Sequence, residues 1–259
     1  MIKQQHVAAV LAEFIGTLTL ALVVLSTSLY RFPLFTAMAA GITLIVFVGA
    51  FGKISGGHFN PAVTIGLFAM RQVGAAKAIA YIVFQFLAGF AAWQAYEFFT
   101  GQPLTNGAGS FDTKIFLAEA AGAFVFGTAI AAVVTQKIQG YQAAATIGGG
   151  LFLGLMVAGL ASSGILNPAV AIATHSFDVN YGLGPVVGML VAMAVTALVI
   201  VPIFGIKKVD KVSPKPVLAT KPTVSAGASS AGAKSAKASV KKTATKSKKT
   251  TKKSTSKKS

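Results

Sequence analysis

Six long apolar runs dominate the chain, at approximately Val7 to Leu29, Phe35 to Gly52, Lys77 to Phe99, Ile115 to Thr135, Ala143 to Ala161 and Leu183 to Phe204. Each has nearly the ~20 helical residues needed to cross a bilayer core about 30 Å thick, and few charges interrupt it. All six are predicted to be transmembrane helices. The first is longer than the apolar core of a cleavable signal peptide and no small-residue cleavage site follows it, so it is predicted to be a true span. Two other segments, KISGGHFNPAVTIGLFAM after Gly52 and ASSGILNPAVAIATH after Leu160, are too short and too broken at their start to cross. They are predicted to be re-entrant, with irregular backbone leading into short helices from Pro61 to about Met70 and from Pro168 to about His175. Asn is a good N-cap, and Pro suits the first helical position because its missing N–H would have no partner there.

The pattern repeats. Leu11-Ala12-Glu13 recurs as Leu117-Ala118-Glu119, and Asn60-Pro61-Ala62-Val63 recurs as Asn167-Pro168-Ala169-Val170. Glu13 precedes Asn60 by 47 residues, and Glu119 precedes Asn167 by 48. Each half has three spans, an odd number, so the second copy enters the membrane from the opposite side. The chain is therefore an inverted repeat, which places a site near the bilayer midplane. Glu13 and Glu119 would be costly facing lipid and are expected to turn inward and accept hydrogen bonds from loop backbone. The glycines of the spans, such as Gly148 to Gly150 and Gly154, are expected to allow close helix crossings.

Charge divides the chain in two. Of 23 Lys and Arg and 6 Asp and Glu, sixteen Lys and one Asp follow Ile206, leaving only seven basic and five acidic residues for the first 205. Residues 1–205 are expected to form an all-α membrane bundle, with repeats at about 7–99 and 115–204. Residues 206–259 are expected to be a disordered Lys-rich tail, because they lack aromatics and cannot bury enough apolar surface to fold. The tail is predicted to lie against anionic lipid, with weak binding to nucleic acid or another polyanion as the alternative. Lys3, Lys53, Arg71, Lys77, Lys137 and the tail fall on one side, Arg31, Asp112, Lys114 and Asp178 on the other, which puts both termini in the cytoplasm. Trp93, Tyr96, Phe98 and Phe99 are expected to form an interfacial belt at the outer end of the third span.

With no cysteine, three His and few acids, there is little material for nucleophilic, metal or acid–base chemistry, and no enzyme, metal or cofactor is predicted. His6 and His175 lack the neighbours of a metal site. The chemistry lies instead in the two re-entrant segments. Irregular backbone at membrane depth is tolerated where it is buried or lines a watery cavity, so Gly56, Gly57, His58 and Phe59, with Ser163, Gly164, Ile165 and Leu166, are candidate pore walls offering carbonyl acceptors. Two half-helices meeting by their N-termini would each bring about half a positive charge to the midplane. The Asn60 and Asn167 amides would add donors that suit a neutral molecule. No nucleotide motif or paired ionisable relay appears, so passive flux is expected.

AEFIGT at Ala12, GGHFNPAVT at Gly56 and NPA at Asn167 resemble the aquaporins, the major intrinsic proteins, over about residues 7–204. The resemblance implies an aquaporin-like bundle of six transmembrane helices and two re-entrant half-helices, a homotetramer with one pore per subunit, and an integral multi-pass protein of the plasma membrane. It makes Asn60, Pro61, Ala62, Asn167, Pro168 and Ala169 the paired pore motifs, passing water or small neutral solutes such as glycerol, urea or ammonia. His58 commonly braces the pore loop in this family. Most water-selective members carry Arg directly after the second Asn-Pro-Ala, with a His and an aromatic opposite. This chain has Val170 there, and the corresponding positions hold Ala40, Leu155 and Gly164. Such a ring is wide and hydrophobic, which favours larger or less polar solutes. The alternatives are closure of that ring by Leu155 and its neighbours through dewetting, or a non-conducting scaffold that reuses the fold.

Overall fold

The computed structural model of the chain describes residues 4–203. The Lys-rich segment 206–259, with the lipid and polyanion binding expected of it, lies outside the described residues. Within them the chain is helical, in the order α1 (Gln4–Ser28), α2 (Pro33–Phe51), α3 (Pro61–Ala69), α4 (Ala75–Thr100), α5 (Thr113–Thr135), α6 (Gly140–Ala158), α7 (Pro168–Ala173) and α8 (Val179–Ile203). The six long helices are apolar enough to cross a membrane, and α3 and α7 are the two short ones.

All six long helices begin a few residues earlier than hydropathy predicts, and in α5 and α8 the first turn is set by side-chain capping, which a hydrophobicity pattern does not register. Asp112 accepts from Lys114 N at 2.7 Å and Ile115 N at 3.1 Å, and Asp178 accepts from Asn180 N at 2.8 Å and Tyr181 N at 3.0 Å. Each carboxylate satisfies two of the four backbone donors that a helix start leaves without partners. In α2, Pro33 takes the first position. α8 passes through a π-helical turn at Thr196–Ile200 before its last residues.

α1 packs on α2 and α4, and α5 on α6 and α8, so the two repeats build matching three-span units that join through α2 and α6. The short helices are exchanged: α3 packs against α8, and α7 against α4. Close crossings make this possible. A Cβ on Gly122 of α5 would collide with the Gly154 carbonyl of α6, and one on Gly154 would collide with the Gly122 carbonyl. Gly41 of α2 and Gly148 of α6 have the same reciprocal relation. Where lipid tails are as apolar as the side chains, such backbone approach supplies the dispersion contacts that hold helices together. Large apolar side chains such as Leu11, Ile15, Ile42, Val46, Leu117 and Val191 face outward.

Candidate pore

Asn60 and Asn167 are each the N-cap of a half-helix, their Oδ1 atoms accepting from Ala62 N at 2.8 Å and Ala169 N at 3.0 Å. Pro61 and Pro168 occupy the first helical positions, and Ala62 and Ala169 are fully buried behind them. The amide nitrogens cross between repeats: Asn60 Nδ2 donates to the Leu166 carbonyl at 2.8 Å, and Asn167 Nδ2 donates to the Phe59 carbonyl at 3.0 Å. Each NH₂ thus gives one N–H to the opposite loop and has a second N–H with no partner among the described residues. This cross-tie is absent from the sequence reading, which assigned both amides wholly to the pore.

The two buried glutamates hold the loops from behind. Glu13 accepts from His58 N at 3.0 Å and Phe59 N at 2.7 Å, and Glu119 accepts from Ile165 N at 3.0 Å and Leu166 N at 2.7 Å. Their predicted inward, structural placement is what the structure shows. Phe59 and Leu166 take left-handed backbone conformations, with φ of 49° and 53°, which is uncommon for side chains of this size. The burial of both side chains compensates: the Phe59 ring covers Gly16, and Leu166 lies against Gly122 and Gly154. Their rings and methyls therefore point away from the cavity. None of the hydrogen bonds among the described residues ends on the carbonyls of Gly56, Gly57 and His58, or of Ser163, Gly164 and Ile165. Of these residues, His58, Ser163, Gly164 and Ile165 line the large cavity, and Gly56, Gly57 and His58 line a smaller one.

A cavity of about 850 Å³ runs from the face carrying Arg31 and the loop around Leu104 and Gly107 down to Asn60, Asn167 and His58. Ala40, Leu155, Gly164 and Val170 all line it, together with Ser163 and Ile165. On the opposite side of His58, Gly56 and Gly57 border a second space of only about 10 Å³, with Phe126 and branched aliphatic side chains around it. His58 is braced by Thr64, its Nδ1 3.1 Å from the Thr64 hydroxyl, and Tyr81 meets it edge-on.

Sequence reasoning passed over Gln85, whose Nε2 donates to Glu13 at 2.9 Å and to Thr64 at 3.0 Å. A lone amide in the run IVFQFLAG was the available signal. The predicted aromatic belt divides: Phe98 and Phe99 are exposed, whereas Trp93 is half-buried and stacks on His175 at 4.3 Å. That stack, with His175 Nδ1 3.2 Å from the Leu104 carbonyl, ties the loop after α4 to the end of α7.

Six apolar helices around two half-helices that meet through paired Asn residues define an integral, multi-pass membrane channel of the water and small-solute class. The Major intrinsic protein family profile matches residues 1–200, and the chain belongs to that family. It is 34% identical over 201 residues to glycerol uptake facilitator protein-like 6 of Lactiplantibacillus plantarum, covering 70% of this chain and 93% of that protein. It is 30% identical over 179 residues to probable aquaporin TIP1-2 of Oryza sativa subsp. japonica, covering 64% of this chain and 71% of that one. Among solved structures, the aquaglyceroporin from Plasmodium falciparum superposes with a TM-score of 0.65 at 19% identity, over 77% of this chain and 99% of that one, which shows the shared fold.

Proposed function

We propose that this protein passes water and small neutral solutes of about glycerol's size passively, through one pore per subunit centred on Asn60 and Asn167. The observation that carries the reading is the pair of crossed Asn amides at the base of the wide cavity, which His58, Ser163, Gly164 and Ile165 also line. A permeant trades water hydrogen bonds for carbonyl acceptors and Asn donors, while the half-helix N-termini disfavour a cation at the midplane. Ala40, Leu155, Gly164 and Val170 act as the outer selectivity positions, wide and hydrophobic without the usual Arg. The resemblance to a glycerol uptake facilitator-like protein supports glycerol among the permeants.

Both termini lie in the cytoplasm and the protein resides in the plasma membrane. Four copies assemble through the apolar outer faces, and the Lys-rich tail binds anionic lipid. The test is stopped-flow flux in proteoliposomes with water, glycerol, urea and ammonia, normalised to inserted protein. Val170→Arg is expected to lower glycerol flux more than water flux, because the side chain narrows the opening and adds a fixed charge. A glycerol-to-water ratio that is unchanged or raised would remove Val170 from the selectivity positions. Impermeability of inserted wild type and of every pore variant to all of these solutes would defeat the channel reading.

A further inference from the structure

The two cavities on either side of His58 differ sharply in size. Ala40, Leu155, Gly164 and Val170 border about 850 Å³ of space. On the far side of His58 lies a separate space of only about 10 Å³, bordered by Gly56, Gly57 and His58 and by apolar side chains that include Val63, Phe126 and Ile130. A space of that size is at the threshold for holding one water molecule, and a water needs two to four polar partners to remain. Only the loop wall offers any.

His58 and Phe126 border both cavities and therefore form the neck between them. His58 is held in place by Thr64 and Tyr81. Phe126 has no polar tether, is the bulkiest apolar side chain around the smaller space, and comes close to Gly150 of α6. We infer that the size-limiting barrier of this pore lies on the inner side of the Asn pair, and that Phe126 is its specificity-determining residue. The inference rests on the channel reading above and deepens it. It predicts a pore that admits solutes freely into its wide outer half and sorts them by thickness at a hydrocarbon wall facing a carbonyl ladder.

The test uses the full chain in proteoliposomes, with water and glycerol flux normalised to inserted protein, for Phe126→Ala, Phe126→Leu, Phe126→Trp, Leu155→Ala and the lipid-facing control Val191→Ala. Phe126→Ala is expected to raise the glycerol-to-water ratio by about tenfold. Phe126→Leu should move it the same way by less, Phe126→Trp should lower both fluxes, and Leu155→Ala should move the ratio less than Phe126→Leu does. If Phe126→Ala fails to insert, Phe126→Leu and Phe126→Trp decide. Flux through an otherwise impermeable wild type on Phe126→Ala substitution would support the barrier in its closed form. A conducting wild type whose ratio ignores every Phe126 variant but follows Leu155→Ala would overturn the inner barrier and leave the channel reading intact. Inserted protein without flux in the wild type or any variant would overturn both.

Discussion

The loops 55–60 and 162–167 share one skeleton and differ in what surrounds it. In each, a buried glutamate takes two consecutive backbone N–H groups, and a serine hydroxyl accepts from the amide two residues on, Ser55 from Gly57 and Ser162 from Gly164, both at 3.0 Å. In each, an Asn caps a half-helix and reaches across to the other loop. The first loop adds a polar network of His58, Thr64 and Gln85, and Tyr81 donates to the Ser55 carbonyl at 2.7 Å. At the matching distances from Asn167 the second loop has Ile165 and Ala171 in place of His58 and Thr64. The inverted fold needs the backbone supports twice, because two half-helices must be aimed at one point. It needs the His58–Thr64–Gln85 network only once, and the two sides are accordingly asymmetric: a hydrogen-bonded neck at His58, a wide cavity at Ile165.

The strongest way to break this comparison is to remove the shared supports. Glu13→Leu and Glu119→Leu each strand two buried amides, at about 1–3 kcal/mol per group, and both should sharply lower the thermal midpoint in detergent. A large loss at only one site would show that the two skeletons are not equivalent. Next come Asn60→Ala and Asn167→Ala, each expected to cost about 1 kcal/mol for the lost cap and about as much again for the cross-loop bond. The loss should be greater at Asn167, since α7 has 6 residues against 9 in α3 and fewer helical bonds to fall back on.

A smaller effect sharpens the asymmetry itself. His58→Ile should cost about 1 kcal/mol by abolishing the Thr64 contact. Ile165→His alone should gain nothing, whereas Ile165→His with Ala171→Thr should recover a coupling of about 1 kcal/mol in a double-mutant cycle. Absence of coupling would mean that more than the two side chains distinguishes the loops. The smallest expected effect separates two tyrosines. Tyr81→Phe loses a buried bond of 2.7 Å, and Tyr181→Phe two longer, part-buried ones, donated to the Ser163 hydroxyl at 3.2 Å and accepted from Ser163 N at 3.4 Å, so thermal melts should rank the first above the second by a few tenths to about 1 kcal/mol.

Six spans, two re-entrant helices and their repetition were legible in the sequence because each rests on a local rule. About 20 apolar residues cross a bilayer, and Asn-Pro starts a helix whatever lies beyond it. The inward turn of Glu13 and Glu119 was legible too, since a lone carboxylate in an apolar run has nowhere else to go. What the chain's neighbours in space contribute was not legible. The cross-tie of Asn60 to Leu166 joins residues 106 positions apart, and Gln85 reaches Glu13 across 72. Trp93 reads as an interfacial aromatic until α7 brings His175 beneath it. Ala40, Leu155, Gly164 and Val170 could be read as wide and apolar one by one, but the volume they enclose and the narrow space beyond Phe126 depend on how the helices cross. Side-chain identity and spacing are properties of the chain, whereas free space belongs to the gaps between elements, and only the packed tertiary structure decides where those gaps remain.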